Sequence, residues 1–445
     1  MPYLVNAAVV LVVGLMFPLA EHIPPFGELV RWMDTLAYRM QAVRSASPPS
    51  SDVVVVAIDE RALDGGAERL APIDRAFVAD LLTKVAESEP RVIAVDIDLR
   101  EPLRSVFDAA PGLDITSALR SELEQSDERL TATVNALAGR GVPIVLASLP
   151  DAETSDRLPY DRDSDHLTFA DARAYVEAID RVLYSFPTRA RDPVTPDPAL
   201  PFTEAPRPSF SFAAWAMAHG ATSVETRVGT APVRFADSVR SDWKALRDGS
   251  DPLVNWRRLD PRPGAVALPT LSATEVIDSD EPLARLKAKV VVVGRTTFAT
   301  APFPERRDVQ PTPYAGLSAT GVTLQALFID NLMTRSWARK ASFFQALVAS
   351  CLLSIGVGAA IIWAARQAKT ALSLADLADR QPPLWAVIIS DGYLAFILGT
   401  IGVVLVGLVV NGLFLQRGLY MLSITLLPLG AALEALLFTL WSLRS

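Results

Sequence analysis

The sequence predicts an α/β domain with a mainly parallel central sheet, joined to a four-helix transmembrane bundle. Three observations predict it. Two valine-rich runs, VVVVAIDE at 53–60 and VVVVGR at 290–295, have the short, apolar, β-branched character of strands covered on both faces. Between residues 53 and 147 such strands alternate with helix-length segments, the crossovers that parallel neighbours need. Charge is unevenly spread: 37 of the 42 Lys and Arg residues and 46 of the 50 Asp and Glu residues lie in 21–340, an acidic body between nearly uncharged ends. That is the distribution of a membrane protein.

Tyr3 to Ala20 is an apolar stretch of 18 residues without a charge, long enough to cross a bilayer. No Lys or Arg precedes it, so a retained first transmembrane helix (1–20) is expected rather than a cleaved signal. Pro18, Pro24 and Pro25 end it, an amphipathic helix follows at Phe26 to Arg44, and SASPPSSD at 45–52 leads into the first strand. Strand Val53 to Ile58, helix Asp74 to Ser88, strand Arg91 to Ile97, helix Asp127 to Arg140 and strand Val142 to Ala147 come next. The stretch from Ser185 to Pro208 holds seven prolines, too many for ladder or helix, and reads as a loop. After it come a helix at Phe210 to His219, a less regular segment with short strands, and the returning strand Lys289 to Val293, ended by Gly294. A last helix covers Gly321 to Met333, and the domain closes near residue 340.

Three further membrane crossings are expected: 341–365, which carries no charge, 384–416, interrupted only by Asp391, and 418–442, interrupted only by Glu434. Four crossings put both termini on one side and 21–340 on the other. Arg366, Lys369 and Arg380 favour a cytoplasmic connection between the second and third crossings, although Arg335, Arg339 and Lys340 flank the opposite end of the second. Long domains translocate largely regardless of their own charge, so the acidic domain is read as exported.

Several functions are disfavoured by composition. The formal net charge of −8 offers no basic stripe for a nucleic acid. Cys351 is the single cysteine, which leaves no disulfide within the chain, and His22, His166 and His219 lack metal-ligand spacing. Phosphate-binding glycine motifs, H-E-x-x-H and G-x-S-x-G are all missing, so no enzyme is expected.

The polar groups with the best prospects of binding are Asp59, Glu60, Asp96 and Asp98, at or just beyond strand carboxyl ends, with Asp308 from the returning loop. Open α/β sheets place ligands at that edge. Clustered carboxylates suit a hard divalent cation such as Ca²⁺ or Mg²⁺, and Arg75 at a helix start could offset them or grip an anion. The same acids also fit the ordinary role of strand-end and helix-cap residues. Asp391 and Glu434 lie seven residues inside one end of their respective stretches, or eight, and so at about 10 to 12 Å depth. An ionisable group there usually faces protein or water, either as a shared polar site or as a docking point for a partner's helix.

Local motifs then carry a family resemblance. Asp34 and Arg39, DVVVVAIDE at 52–60, Pro72 with Arg75, VIAVDID at 92–98, SFSFAAWAMA at 209–218, LVNWR at 253–257, LKAKVVVVGR at 286–295, DVQPTPY at 308–314 and TGVTLQALFIDNLM at 320–333 follow one another in the order found in bacterial CHASE2 receptors. Together they span nearly the whole chain, which resembles membrane proteins with a CHASE2 sensory domain. Thr323 and Leu324 depart from that family's frequent Glu and His in the last helix. The resemblance implies a multi-pass protein of the bacterial inner membrane whose extracytoplasmic domain detects a signal. Because the chain stops at Ser445, soon after its last crossing, output is expected through a separate effector protein. The alternative is that the bundle itself acts, as a channel or membrane-perturbing effector. A homo-oligomer in the lipid bilayer is expected, since signalling across membranes commonly moves packed subunits.

Overall fold

The computed structural model describes residues 52–59, 73–99, 101–104, 116–148, 158–161, 164–171, 178–179, 182–183, 209–220, 254–259, 267–281, 283–296, 309–312, 318–336, 339–340, 363, 367–378, 380–390 and 419–420. The chain divides into two compact units, Met1–Ala46 with Ala338–Ser445, and Ser47–Trp337.

The second unit is built on a six-stranded sheet: β1 (Val53–Ile58), β2 (Val92–Asp98), β3 (Ile144–Ser148), β4 (Leu167–Asp171), β5 (Thr270–Ser272) and β6 (Val290–Arg295). Its order is β4-β3-β2-β6-β1-β5 and every pairing is parallel. The two valine runs are direct neighbours, with Val53 to Val56 opposite Val290 to Val293. All eight valines are at most 2% exposed. A residue that is apolar on both sides of the pleat belongs in a sheet covered on both faces, which is why these runs do not alternate.

Among the described residues, five helices cover the sheet: α1 (Arg75–Glu87), α2 (Ser117–Gly139), α3 (Phe210–Ala218), α4 (Ala273–Ile277) and α5 (Gly321–Met333). α1 packs with α2 and α4 on one face, and α3 packs with α5 on the other. The first face closes a core in which Val54, Val56, Ile58, Ile93, Val95, Val291 and Val293 meet Val78, Leu82, Leu130 and Val134. Fully burying each such side chain contributes about 1.5–3 kcal/mol. α3 is apolar all round and eight of its nine residues are buried, as a helix pressed between a sheet and α5 must be. Ser209 caps it, its hydroxyl accepting from the Phe212 amide at 3.4 Å.

Two features differ from expectation. α2 begins at Ser117, ten residues before Asp127, because Thr116 supplies the N-cap, accepting from Leu119, while the first turns are polar and exposed. Apolar periodicity marks only the buried half. Gly294 does not end its strand but sits inside β6, paired with Ala57 and with Asp96. A Cβ there would lie 2.7 Å from Val322 Cγ2, so glycine admits the start of α5 against the sheet.

Of the first unit, residues 367–377 and α6 (Leu384–Ser390) are helical, and Arg339–Lys340 pairs with Leu419–Tyr420 in parallel. Among the described residues no helix is long and apolar enough to cross a membrane. The stretches 3–20, 341–365, 384–416 and 418–442 lie outside the described residues except for Trp363, α6 and 419–420.

Candidate functional site

Topology singles out one place at the sheet's carboxyl edge. The chain leaves β1 and β2 towards α1 and α2 on one face, and leaves β6, which lies between them, towards α5 on the other. Outgoing connections that diverge in this way open a crevice beyond the strand ends, where open α/β sheets bind ligands. The side chains delivered there are Asp59 after β1, Asp96 and Asp98 from the end of β2, Arg295 from the end of β6 and Ser272 from the end of β5.

The register brings Ile58 opposite Arg295 and Asp96 opposite Gly294. Ser272 Oγ donates to Asp59 Oδ1 at 3.0 Å. Burial alone lowers the pKa of the Arg295 guanidinium from its ordinary value. The pairing of β2 with β3 slips between Val95 and Asp98, so the end of β2 leaves the regular ladder where its acids stand.

Beside this edge lies a second polar assembly on α1 and α2. Arg75 and Asp127 form an ion pair at 2.7 Å, with side chains 3% and 6% exposed. Arg75 Nη2 also donates to the Glu101 carbonyl, and the Leu103 amide donates to the other Asp127 oxygen at 2.8 Å. Asp127 is held above the ordinary carboxylate range by burial, which outweighs the opposing pull of Arg75 and of the Leu103 amide. Tyr160 donates to the Leu99 carbonyl at 2.9 Å, and burial pushes its phenol up. Arg75, Asp127 and Asp98 all act electrostatically on Tyr160, which ties this assembly to the end of β2. Asp74 caps α1, accepting from Ala76 at 2.9 Å and from Ser126 Oγ at 3.0 Å, so the starts of α1 and the middle of α2 are fastened together.

Sequence reasoning thus places Asp59, Asp96 and Asp98 at one edge, and Arg75 next to it. Arg75 offsets Asp127, which the sequence marks only as the start of a helix and which lies in the middle of α2. Glu60, Asp308, Asp391 and Glu434 lie outside the described residues. Among the described residues no group of three or more His, Cys, Asp or Glu could hold a metal ion, so Asp59, Asp96 and Asp98 do not form a cation cage on their own.

A third assembly, at the opposite, amino-terminal edge, was not anticipated. It unites two motifs that the sequence marks separately, LVNWR at 253–257 and FIDNLM at 328–333. The Asn255 amide donates to Asn331 Oδ1 at 2.5 Å and Asn331 Nδ2 donates back to the Asn255 carbonyl at 3.1 Å. One residue before Asn331, Asp330 accepts from both Arg258 Nε at 3.2 Å and Arg258 Nη2 at 3.3 Å. Burial raises the Asp330 pKa from 3.8 to about 6, against the lowering effect of Arg258.

The CHASE2 domain family model matches residues 7–363. No curated protein and no solved structure matches the chain. A match over most of the length, on a fold whose motifs form its strand ends and its buried polar contacts, shows that the chain belongs to the CHASE2 sensory-domain family.

Proposed function

We propose that the protein is a membrane-anchored sensor subunit. Its α/β domain takes up an extracytoplasmic signal at the carboxyl edge of the sheet, and a transmembrane bundle passes the change to a separate effector. The observation that carries this reading is the diverging of chain connections around β6, with Asp59, Asp96, Asp98, Arg295 and Ser272 delivered to that crevice. Membrane anchoring is supported by two further facts. The family match begins inside the first apolar stretch and ends inside the second. Among the described residues, Trp363, Leu374, Leu377, Leu384, Trp385 and Val387 are exposed large apolar side chains of the first unit, whereas the second unit exposes only Leu119, at 38%. Apolar side chains turned outward in this number mark contact with lipid or protein.

Affinity purification of the full-length chain from native membranes tests the proposal. A co-purifying soluble effector, whose recovery changes in the D59N/D96N variant, is expected. A second reading, in which the bundle is itself a channel-like or membrane-perturbing effector, is favoured by Asp391 and Glu434 within otherwise uncharged stretches. Ion conductance in proteoliposomes, lost in D391N/E434Q and accompanied by no co-purifying protein, would establish that reading instead.

A further inference from the structure

The helix at 367–377, in the first unit, has three sides of different character. At about 100° per residue, Ala371, Leu374 and Leu377 fall within one third of its circumference, and Lys369 and Asp376 fall nearly opposite. Between them lies the side that packs inward, with Ala368 at 1% and Ala375 at 9% exposure. Leu374 is 59% exposed and Leu377 85%, so the leucine stripe is turned outward. The helix is short and closed at its end. The Ala378 and Arg380 amides return to the Leu374 and Ala375 carbonyls at 3.1 and 2.9 Å, and Pro382 and Pro383 prevent continuation into α6.

We propose that this helix binds a lipid surface: it lies along the cytoplasmic leaflet of the bilayer, with Leu374 and Leu377 at the boundary between headgroups and acyl chains. Its place in the chain selects lipid over a protein partner. Only Arg366 separates the uncharged stretch 341–365 from the start of the helix, and only residues 378–383 separate its end from α6, which opens the apolar stretch 384–416. A helix of this size is about 16 Å long, so a segment tied at both ends to spanning stretches stays close to the surface. Trp363 and Trp385 bracket it, 66% and 47% exposed, and tryptophan settles at the headgroup level. Both ends of the helix are thus held near the depth at which an amphipathic helix buries its apolar side. α6 continues the apolar surface, with Leu384 at 75% and Val387 at 43% exposure.

Charge fits the same placement. Exposed Lys369 and Arg380 stand near the two ends, where cationic side chains reach headgroup phosphates, and exposed Asp376 lies on the side opposite the leucines, towards water. The pairing of Arg339–Lys340 with Leu419–Tyr420 fixes the side of the membrane. It brings the chain before stretch 341–365 and the chain after stretch 384–416 to one level. One spanning stretch from each then carries 366–383 to the other. The proposal rests on the membrane reading above, because those two stretches must span for the helix to be held at the surface.

The test is spin-label depth measurement on the full-length chain in a C351S background, reconstituted in nanodiscs of phosphatidylcholine and phosphatidylglycerol. Labels are placed singly at A371C, L374C and L377C on the stripe, at D376C on the charged side, and at I401C in the middle of 384–416. The stripe labels are expected about 5–10 Å below the phosphates, relaxed by oxygen and screened from a water-soluble nickel reagent, while D376C is open to that reagent. In L374S/L377S the nickel access of A371C should rise by about tenfold, because both leucine anchors are gone. Nickel access on the stripe equal to that at D376C, with I401C still in lipid, would overturn the interfacial helix and leave membrane anchoring standing. Unchanged access of A371C in L374S/L377S would overturn it as well, as would stripe labels that become screened only when a soluble protein is added, the mark of a protein docking site. Access of the nickel reagent to I401C would remove both proposals.

Discussion

Arg75 and Asp127 show how much a single buried pair can organise. Both Asp127 oxygens are used, one by Arg75 and one by the Leu103 amide, so truncating the acid strands a cation and an amide in a site with almost no solvent. D127A is expected to lower stability by about 3–5 kcal/mol, measured by denaturant unfolding of the full chain in detergent. Gly294 is the opposite case, a position where adding one carbon is costly. G294A should destabilise by about 1–3 kcal/mol through its clash with Val322, and V322A should restore most of the loss in the double variant. For Asp330 the sign with pH is fixed. Its folded pKa, about 6, lies above its ordinary 3.8, so its contribution is fully present below the unfolded value and is lost as pH rises through about 6. That gap corresponds to on the order of 3 kcal/mol. Across pH 4 to 6 the unfolding free energy of D330N should therefore fall less steeply than that of the wild type.

The same elements explain what the sequence could and could not tell. β1 and β6 are legible because a four-valine run has no helical period and no polar face, and their helices because α1 and α5 keep an apolar stripe. β4 and β5 are not legible. Each is short and sits at a sheet edge, and β5, with sequence TLS, buries only Leu271 in a pattern that no window distinguishes from loop. The carboxyl-edge acids could be placed because they follow those two obvious strands and β2. Asp127 could not, because its partner is 52 residues away and only the packing of α1 on α2 brings them together. Similarly, the NWR and IDN motifs were visible but their meeting was not, since Asn255 and Asn331 are 76 residues apart. At this scale the pairing of α1 with α2 makes a prediction. S126A removes the hydroxyl that bridges Asp74 and the Ala76 amide, and should cost about 1 kcal/mol while raising exchange at the start of α1.

At the scale of the whole molecule, the α/β unit combines one sheet with two differently equipped edges. The carboxyl edge gathers half-buried polar groups around a crevice, whereas the amino edge holds the buried bonds that secure the chain before it leaves the domain. α5 spans the two edges, starting against Gly294 and ending at the Asp330 and Asn331 contacts. All of this serves a sensor only if the domain and the connection around residue 373 lie on opposite sides of a membrane. Thiol labelling of intact cells with an impermeant maleimide, in a C351S background, measures that directly. E122C, at an exposed position of α2, is expected to be labelled from outside, and S373C, exposed in the 367–377 helix, only after the cells are permeabilised. Labelling of S373C in intact cells, or protection of E122C until permeabilisation, would contradict the central claim.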